Sequence, residues 1–221
     1  MTGEPFGPEQ ARTERLHTEH GLERKQQLLR AAEQLFTHKG YGATRISDIC
    51  AAAGVAKGLF YWYFPTKESL FAELVRTMRL QLRRAQAAAM QPGADPVARL
   101  RQGTEASVRF MAEHQTYFAL LHVERTDDTL ASVMREGSDV YAADVRRLIV
   151  EAQQLGLVPD GDPAFCVVGV LGAVSSFGHA HRSGRLDMPI DDLARLVGEW
   201  VTLAVAGRSP LPATGAGAGS P

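Results

Sequence analysis

A chain of 221 residues, 45% apolar and 22% charged, has the composition of an ordinary globular protein and length for one large domain or two smaller ones. Two cysteines far apart, Cys50 and Cys166, argue against a disulfide framework and for a reduced, cytoplasmic setting. Residues 1–20 carry four Glu and two Arg and have no apolar stretch of the kind a signal peptide needs. The net charge of −1 alone speaks against a nucleic-acid partner, but it is unevenly spread. Residues 1–90 hold 13 Lys/Arg against 9 Asp/Glu, and residues 91–221 hold 11 against 16. A basic front and an acidic back suit a chain of which one end meets phosphate.

In chain order, residues 1–20 read as a mobile arm. Leu28, Ala32, Leu35 and Phe36 then recur at helical spacing, with Gly40 placed as a C-terminal cap. A short helix follows from about Arg45, with Thr44 as its expected cap and Ile46, Ile49 and Ala53 as its apolar stripe. Gly54 ends it, and a second short helix runs from about Lys57 to Phe64. Thr66 is placed to cap a long helix reaching towards Met90. The segment Gln91–Pro96 is the clearest break, and Pro96 opens the next helix.

Thr116 is expected to cap a short helix over Tyr117–Glu124, followed by a long one from Asp127 that Gly156 and Pro159 stop. Asp162-Pro163 starts a helix to about Arg182, and Pro189-Ile190-Asp191 the last one, to about Ala206. Its most apolar stretch, Ala164–Val174, is shorter than the roughly 20 residues needed to span a bilayer, so no membrane partner is expected. Residues 208–221, mostly Gly, Ala, Pro and Ser, are expected to be disordered. No run alternates with period two. The reading is all-α, about nine helices: an arm (1–20), a three-helix helix-turn-helix domain (21–67), a larger helical domain (68–207) and a tail (208–221).

Two short helices joined at Gly54 have the lengths of a helix-turn-helix, in which the first braces a second that enters the major groove. The outer face of the second helix would present Lys57, Gly58, Leu59, Tyr61, Trp62 and Tyr63. Periodicity alone leaves the run Tyr61–Phe64 equally readable as a hydrophobic cluster, and Phe60 and Phe64 are expected on the inner face. Cys50 falls at a small, buried position.

The run from Gly40 through Thr44-Arg45-Ile46-Ser47-Asp48-Ile49, Ala53-Gly54-Val55-Ala56-Lys57-Gly58-Leu59-Phe60-Tyr61-Trp62-Tyr63-Phe64 to Lys67-Glu68 resembles the DNA-binding domain of the TetR family of regulators. The match covers roughly residues 24–70. Two positions depart from the family pattern: Ala56 stands where a Ser usually caps the second helix, and Leu59 replaces a small or polar residue. The resemblance implies phosphate contacts from Thr44, Arg45, Ser47, Tyr61 and Lys67, with Arg24 and Lys25 adding others from the first helix. It places Lys57, Gly58, Leu59, Trp62 and Tyr63 on the recognition helix. It also implies a homodimeric regulator, by family habit a repressor, on a palindromic operator in double-stranded DNA. A small effector would release it by swinging the helix Lys67–Met90.

Beyond residue 95 the sequence carries no motif. The helix from Phe165 to Arg182 is apolar nearly all round, which calls for a second partner, and small residues at Gly169, Gly172 and Ser176 would let another helix approach. Ala173 and Ala180 belong to the same set of small residues. With the last helix, the Phe165–Arg182 helix would form a four-helix bundle about a two-fold axis, the expected dimer residues being Val167, Val170, Leu171, Val174, Leu196, Trp200 and Leu203. A pocket for a largely hydrophobic effector is expected among Phe110, His114, Tyr117, Phe118, Leu121, His122, Arg125, Tyr141 and Phe177, though the same spacing also fits plain core. His179 and His181, two residues apart, do not share a helix face, and no metal or other cofactor is expected. An enzyme and a structural protein are the rival classes, but no nucleophile–base set or Gly-rich phosphate loop stands out.

Overall fold

The structure, a computed structural model, describes residues 8–115, 117–118 and 128–207, with side chains for 20–115, 117–118 and 140–207. Among the described residues the chain is all-helical: α1 (Pro8–Lys39), α2 (Ile46–Ala53), α3 (Lys57–Tyr63), α4 (Lys67–Ala89), α5 (Pro96–Glu113), α6 (Asp128–Gln154), α7 (Pro163–Arg182) and α8 (Ile190–Val205). The helix expected over Tyr117–Glu124, and its cap Thr116, lie largely outside the described residues. The chain forms two compact units, one of residues up to Arg76 together with 116–133, the other of 77–115 and 134 onward.

The first unit corrects one expectation. α1 starts at Pro8, so the stretch expected as an arm is helical over most of its length. That stretch lacks an apolar period, but Glu, Gln, Ala, Arg and Leu are strong helix formers and proline is accepted in a first turn. The core of this unit is Leu28, Phe36, Tyr41, Ile49, Phe60, Phe64, Leu70 and Phe71, all nearly or fully buried. Phe36, Tyr41 and Phe71 meet edge-on or tilted at 5.1–6.1 Å between ring centroids. Each buried ring contributes about 1.5–3 kcal/mol by leaving water, so α1, the α1–α2 turn and α4 are joined by one aromatic cluster. Phe60, Phe64 and Cys50 are buried as their spacing predicted. The unit takes in the first turns of α4, to Arg76, beyond the boundary expected at Lys67, because Leu70, Phe71 and Leu74 belong to its core.

The second unit packs α5, α6, α7 and α8 around Leu100, Val108, Leu148, Ile149, Val170, Val197 and Val201. Caps set the helix starts: the Asp95 carboxylate accepts from the Ala98 N–H at 2.8 Å and that of Asp162 from Ala164 at 2.9 Å, each followed by a proline at the first position. Arg83 pairs with Asp144 (2.9 Å), Arg109 with Asp191 (2.7 Å) and Arg99 with Glu151.

α7 overturns part of the expected dimer face. Val167, Val170 and Val174 are 6%, 2% and 4% exposed and face the unit's own core. The outward stripe is instead Phe165, Val168, Gly169, Gly172 and Ser176. A helix apolar on all sides has no moment to say which side turns inward, and the three valines fit against the unit's core. Leu196, Trp200 and Leu203 are exposed on α8, with Trp200 edge-on to Phe177 at 6.0 Å, and Leu171 is half-buried. At 20 residues and a mean hydropathy of 1.5 over its most apolar window, α7 would be long and apolar enough to cross a bilayer by length and composition alone, a test that the core helix of a globular protein also passes. One side of it lies in the core of its unit.

Candidate nucleic-acid interface

Local chemistry builds the helix-turn-helix. At the α2 N-terminus, Arg45 has extended backbone and its N–H donates to the Asp48 carboxylate at 3.3 Å. That hydrogen bond, with Lys39 3.6 Å away, holds Asp48 below the usual carboxylate range. Gly54 ends α2 in the left-handed region (φ 66°), and its N–H and that of Val55 close onto the Ala51 and Cys50 carbonyls at 3.2 and 3.0 Å. A left-handed residue there turns the chain sharply into α3, and glycine takes it without strain. α3 begins after Ala56, which offers no side-chain cap, leaving its first N–H groups open.

α3 is two-sided. Phe60 is fully buried, whereas Lys57 and Gly58 are exposed and Tyr61 and Trp62 are 48% and 74% exposed. Trp62 meets Tyr63 edge-on at 4.6 Å between ring centroids and otherwise faces water. The Lys57 ammonium lies 6.0 Å from the Tyr61 ring centroid. Gly58 opens on free space: a Cβ there would meet no protein atom within 4 Å. Leu59 is half-buried, and so is Tyr63, whose hydroxyl lies beside Gly21 of α1, 3.4 Å from where a Cβ would stand. Arg45 and Ser47 are exposed at the start of α2. Together with Lys57, Tyr61, Thr66 and Lys67 they line an open concavity of about 570 Å³.

Three expected phosphate contacts have other occupations. Thr44 is 1% exposed, and its hydroxyl donates to the Gly40 carbonyl at 2.8 Å, so it neither caps α2 nor reaches a surface; it seals the α1–α2 turn from within. Lys67 donates to the carbonyls of Tyr41 (2.7 Å) and Thr44 (3.0 Å), with its ammonium 4.1 Å from the Tyr41 ring centroid, which makes it first a clamp between α4 and the α1–α2 turn. Lys25 is likewise engaged, 2.6 Å from Glu73. Arg24 remains exposed, with one N–H on Gln27 at 3.2 Å.

Sequence reasoning passed over Thr66 as a surface residue. Its hydroxyl accepts from the Ser69 N–H, and its own N–H donates to Ser69 Oγ, both at 3.1 Å, a reciprocal cap that fixes the α4 N-terminus at the rim of the concavity. The signal was present, since a threonine read as an N-cap also places a helix N-terminus, where anions are favoured.

Of the residues expected to form an effector pocket, Phe110, His114, Tyr141 and Phe177 belong to the second unit, and Tyr117 and Phe118 group with the first. Leu121, His122 and Arg125 lie outside the described residues. Phe110 lies tilted against His114 with ring centroids 4.2 Å apart, and Tyr141 and Phe177 pack on the hydrophobic core. Tyr141 also shares a polar contact with Ser107 (3.3 Å), which accepts from Gln86 at 2.8 Å. No group of three or more His, Cys, Asp or Glu able to hold a metal occurs among the described residues.

Residues 28–74 match the family model described as bacterial regulatory proteins, tetR family, and residues 93–183 match the tetracyclin repressor-like C-terminal domain. The chain is 29% identical over 146 residues to an Escherichia coli (strain K12) protein described as probable acrEF/envCD operon repressor, covering 62% of this chain and 66% of that one. It is 27% identical over 134 residues to a Bacillus subtilis (strain 168) protein described as uncharacterized HTH-type transcriptional regulator YhgD, covering 60% and 63%. The matched span thus takes in somewhat under two thirds of the length of these relatives. The fatty acid degradation regulator FadR from Bacillus halodurans superposes with a TM-score of 0.73 at 20% identity, over 90% of this chain and 97% of that one. These relatives are named as transcriptional regulators and not as enzymes. The exposed α3 set on a helix-turn-helix and the two matched models lead to one conclusion: the chain belongs to the TetR family.

Proposed function

We propose that the chain binds a palindromic operator as a homodimer in the cytoplasm, represses transcription there, and is released by a small, largely hydrophobic effector held in the second unit. The observation that carries the reading is the outer face of α3, where Gly58 opens on free space and Lys57, Tyr61 and Trp62 are exposed to solvent. Such a face suits base-edge contact in the major groove, with Arg45, Ser47, Tyr61 and the α4 N-terminus at Thr66 and Lys67 on the flanking phosphates.

Repression is supported by the relatives named repressors, among them the HTH-type transcriptional repressor DhaR of Mycobacterium sp. (strain GP1), 25% identical over 158 residues. Dimerisation is supported by the uncovered stripe Phe165, Val168, Leu196, Trp200 and Leu203, whose exposure ranges from 36% to 85%. Two copies packed through α7 and α8 would bury it in a four-helix bundle and set two recognition helices on successive half-sites. A gel shift with the DNA upstream of the chain's own gene tests the reading. Discrete retention that Tyr61→Ala abolishes supports it, and equal retention of any DNA overturns it.

A further inference from the structure

Trp62 stands on the outer face of α3 with 74% of its surface in water. Its ring meets that of its neighbour Tyr63 edge-on, 4.6 Å between centroids and 85° between planes. Side chains on a helix lean over the preceding turn, which for Trp62 holds Gly58 and Leu59. Gly58 has no side chain and opens on free space, and Leu59 is half-buried, so that turn offers little to hold an indole.

Tyr63 is placed differently. It is the last residue of α3 and is half-buried. Its ring lies tilted 6.4 Å from that of the buried Phe64. Its hydroxyl is turned to α1, 3.4 Å from where a Cβ of Gly21 would stand. The oxygen that a phosphate would take is therefore directed at the chain's own first helix. Consecutive helix residues point about 100° apart and do not ordinarily face each other. Here the close approach sets a ring held between α1 and Phe64 against one that is otherwise in solvent, in the edge-to-face geometry that aromatic pairs favour.

We propose that Tyr63 is a positioning residue for sequence recognition: its ring holds the Trp62 indole in the orientation that enters the major groove, and its hydroxyl makes no phosphate contact. A side chain free to rotate in water has to be ordered when DNA arrives, at a cost in affinity, and a ring braced beforehand is spared most of that cost. The inference rests on the reading of α3 as the helix that meets the base edges. It gives Tyr63 a part other than the direct contact its place in the sequence suggests.

The test combines operator binding with the order of the indole. Fluorescence anisotropy follows the full chain on a palindrome selected from genomic fragments by the purified protein, and on its scrambled sequence. The heteronuclear NOE of the Trp62 indole N–H is measured without DNA; the chain has two tryptophans, and the signal missing from Trp62→Ala identifies Trp62. Tyr63→Phe keeps the ring and should match the parent chain in both measurements. Tyr63→Leu should lower the indole NOE, the sign of wider motion on the ps–ns scale. It should also weaken palindrome binding about two- to tenfold, the fold-change an edge-to-face ring pair accounts for. Its binding to scrambled DNA should stay as in the parent chain, which also shows that the domain is folded. Adding Tyr63→Leu to Trp62→Ala should cost nothing beyond Trp62→Ala alone, since residues that act as one unit are not additive. Weaker palindrome binding by Tyr63→Phe overturns the proposal. So does an indole as ordered in Tyr63→Leu as in the parent chain, an equal loss on both duplexes, or additive losses in the double variant. Palindrome binding unchanged in Trp62→Ala overturns the reading of α3 itself. A loss in Trp62→Ala with none in Tyr63→Leu leaves that reading standing and overturns the part given to Tyr63.

Discussion

Lys67, the first residue of α4, donates to the carbonyl of Tyr41 at 2.7 Å and lies over the ring of the same residue. The Tyr41 hydroxyl in turn donates to Glu68 at 3.0 Å, so two adjacent α4 residues grip one residue of the α1–α2 turn. Replacing Lys67 by Met leaves the Tyr41 and Thr44 carbonyls short of a donor, a loss of about 1–3 kcal/mol. Thermal unfolding should report that loss. The salt dependence of operator binding separates the roles: a clamp leaves the slope nearly unchanged, whereas a direct phosphate contact would lower it by about one.

Gly58 separates folding from function. A Cβ there meets nothing in the protein, and alanine in a helix is favoured over glycine by about 0.5–1 kcal/mol. Gly58→Ala is expected to raise the Tm and weaken operator binding together, measured by thermal unfolding and fluorescence anisotropy. Gain in both would show that nothing approaches α3 at this position.

The two sides of α7 should respond differently to substitution. Phe165→Glu or Val168→Asp, at positions 85% and 73% exposed, is expected to yield a folded monomer in analytical ultracentrifugation. Val170→Ala, at a position 2% exposed, should leave the dimer intact and cost about 2 kcal/mol of stability through lost burial and the cavity left behind.

Glu73 sets a pH dependence. Burial raises its pKa, but the Lys25 ammonium at 2.6 Å and the Arg76 guanidinium outweigh that and leave it below the usual glutamate value. A carboxylate with a lowered folded-state pKa adds stability above its unfolded pKa and loses it as pH falls through the folded one. Glu73→Gln should therefore melt below the parent chain at neutral pH. The gap should close as pH drops beneath the ordinary carboxylate range. A gap constant from neutral to strongly acid pH would contradict the pairing.

What could be read from the sequence depended on how far each signal is local. Gly54, the α2 stripe and the caps Thr66, Asp95 and Asp162 act within one turn, and their helices start or end where expected. Thr44 was misjudged because a hydroxyl that turns to Gly40 inside a closed loop has the same sequence as one facing a phosphate. The start of α1 was missed because propensity, and not an apolar period, carries residues 8–20. Val167, Val170 and Val174 were assigned outward since an all-apolar helix gives no sidedness, and the shape of α5 and α8 decides it.

The central claim, sequence-specific operator binding by a dimer through α3, is tested most directly by fluorescence anisotropy. The DNA would be a palindrome selected from genomic fragments by the purified chain, set against its scrambled sequence at fixed physiological salt. One dimer per palindrome is expected, at least about 10³ tighter than on the scrambled duplex, with Trp62→Ala losing about 1–3 kcal/mol on the palindrome and none on scrambled DNA. Equal affinity for both duplexes, or a Trp62→Ala variant that binds the palindrome as the parent chain does, would contradict it.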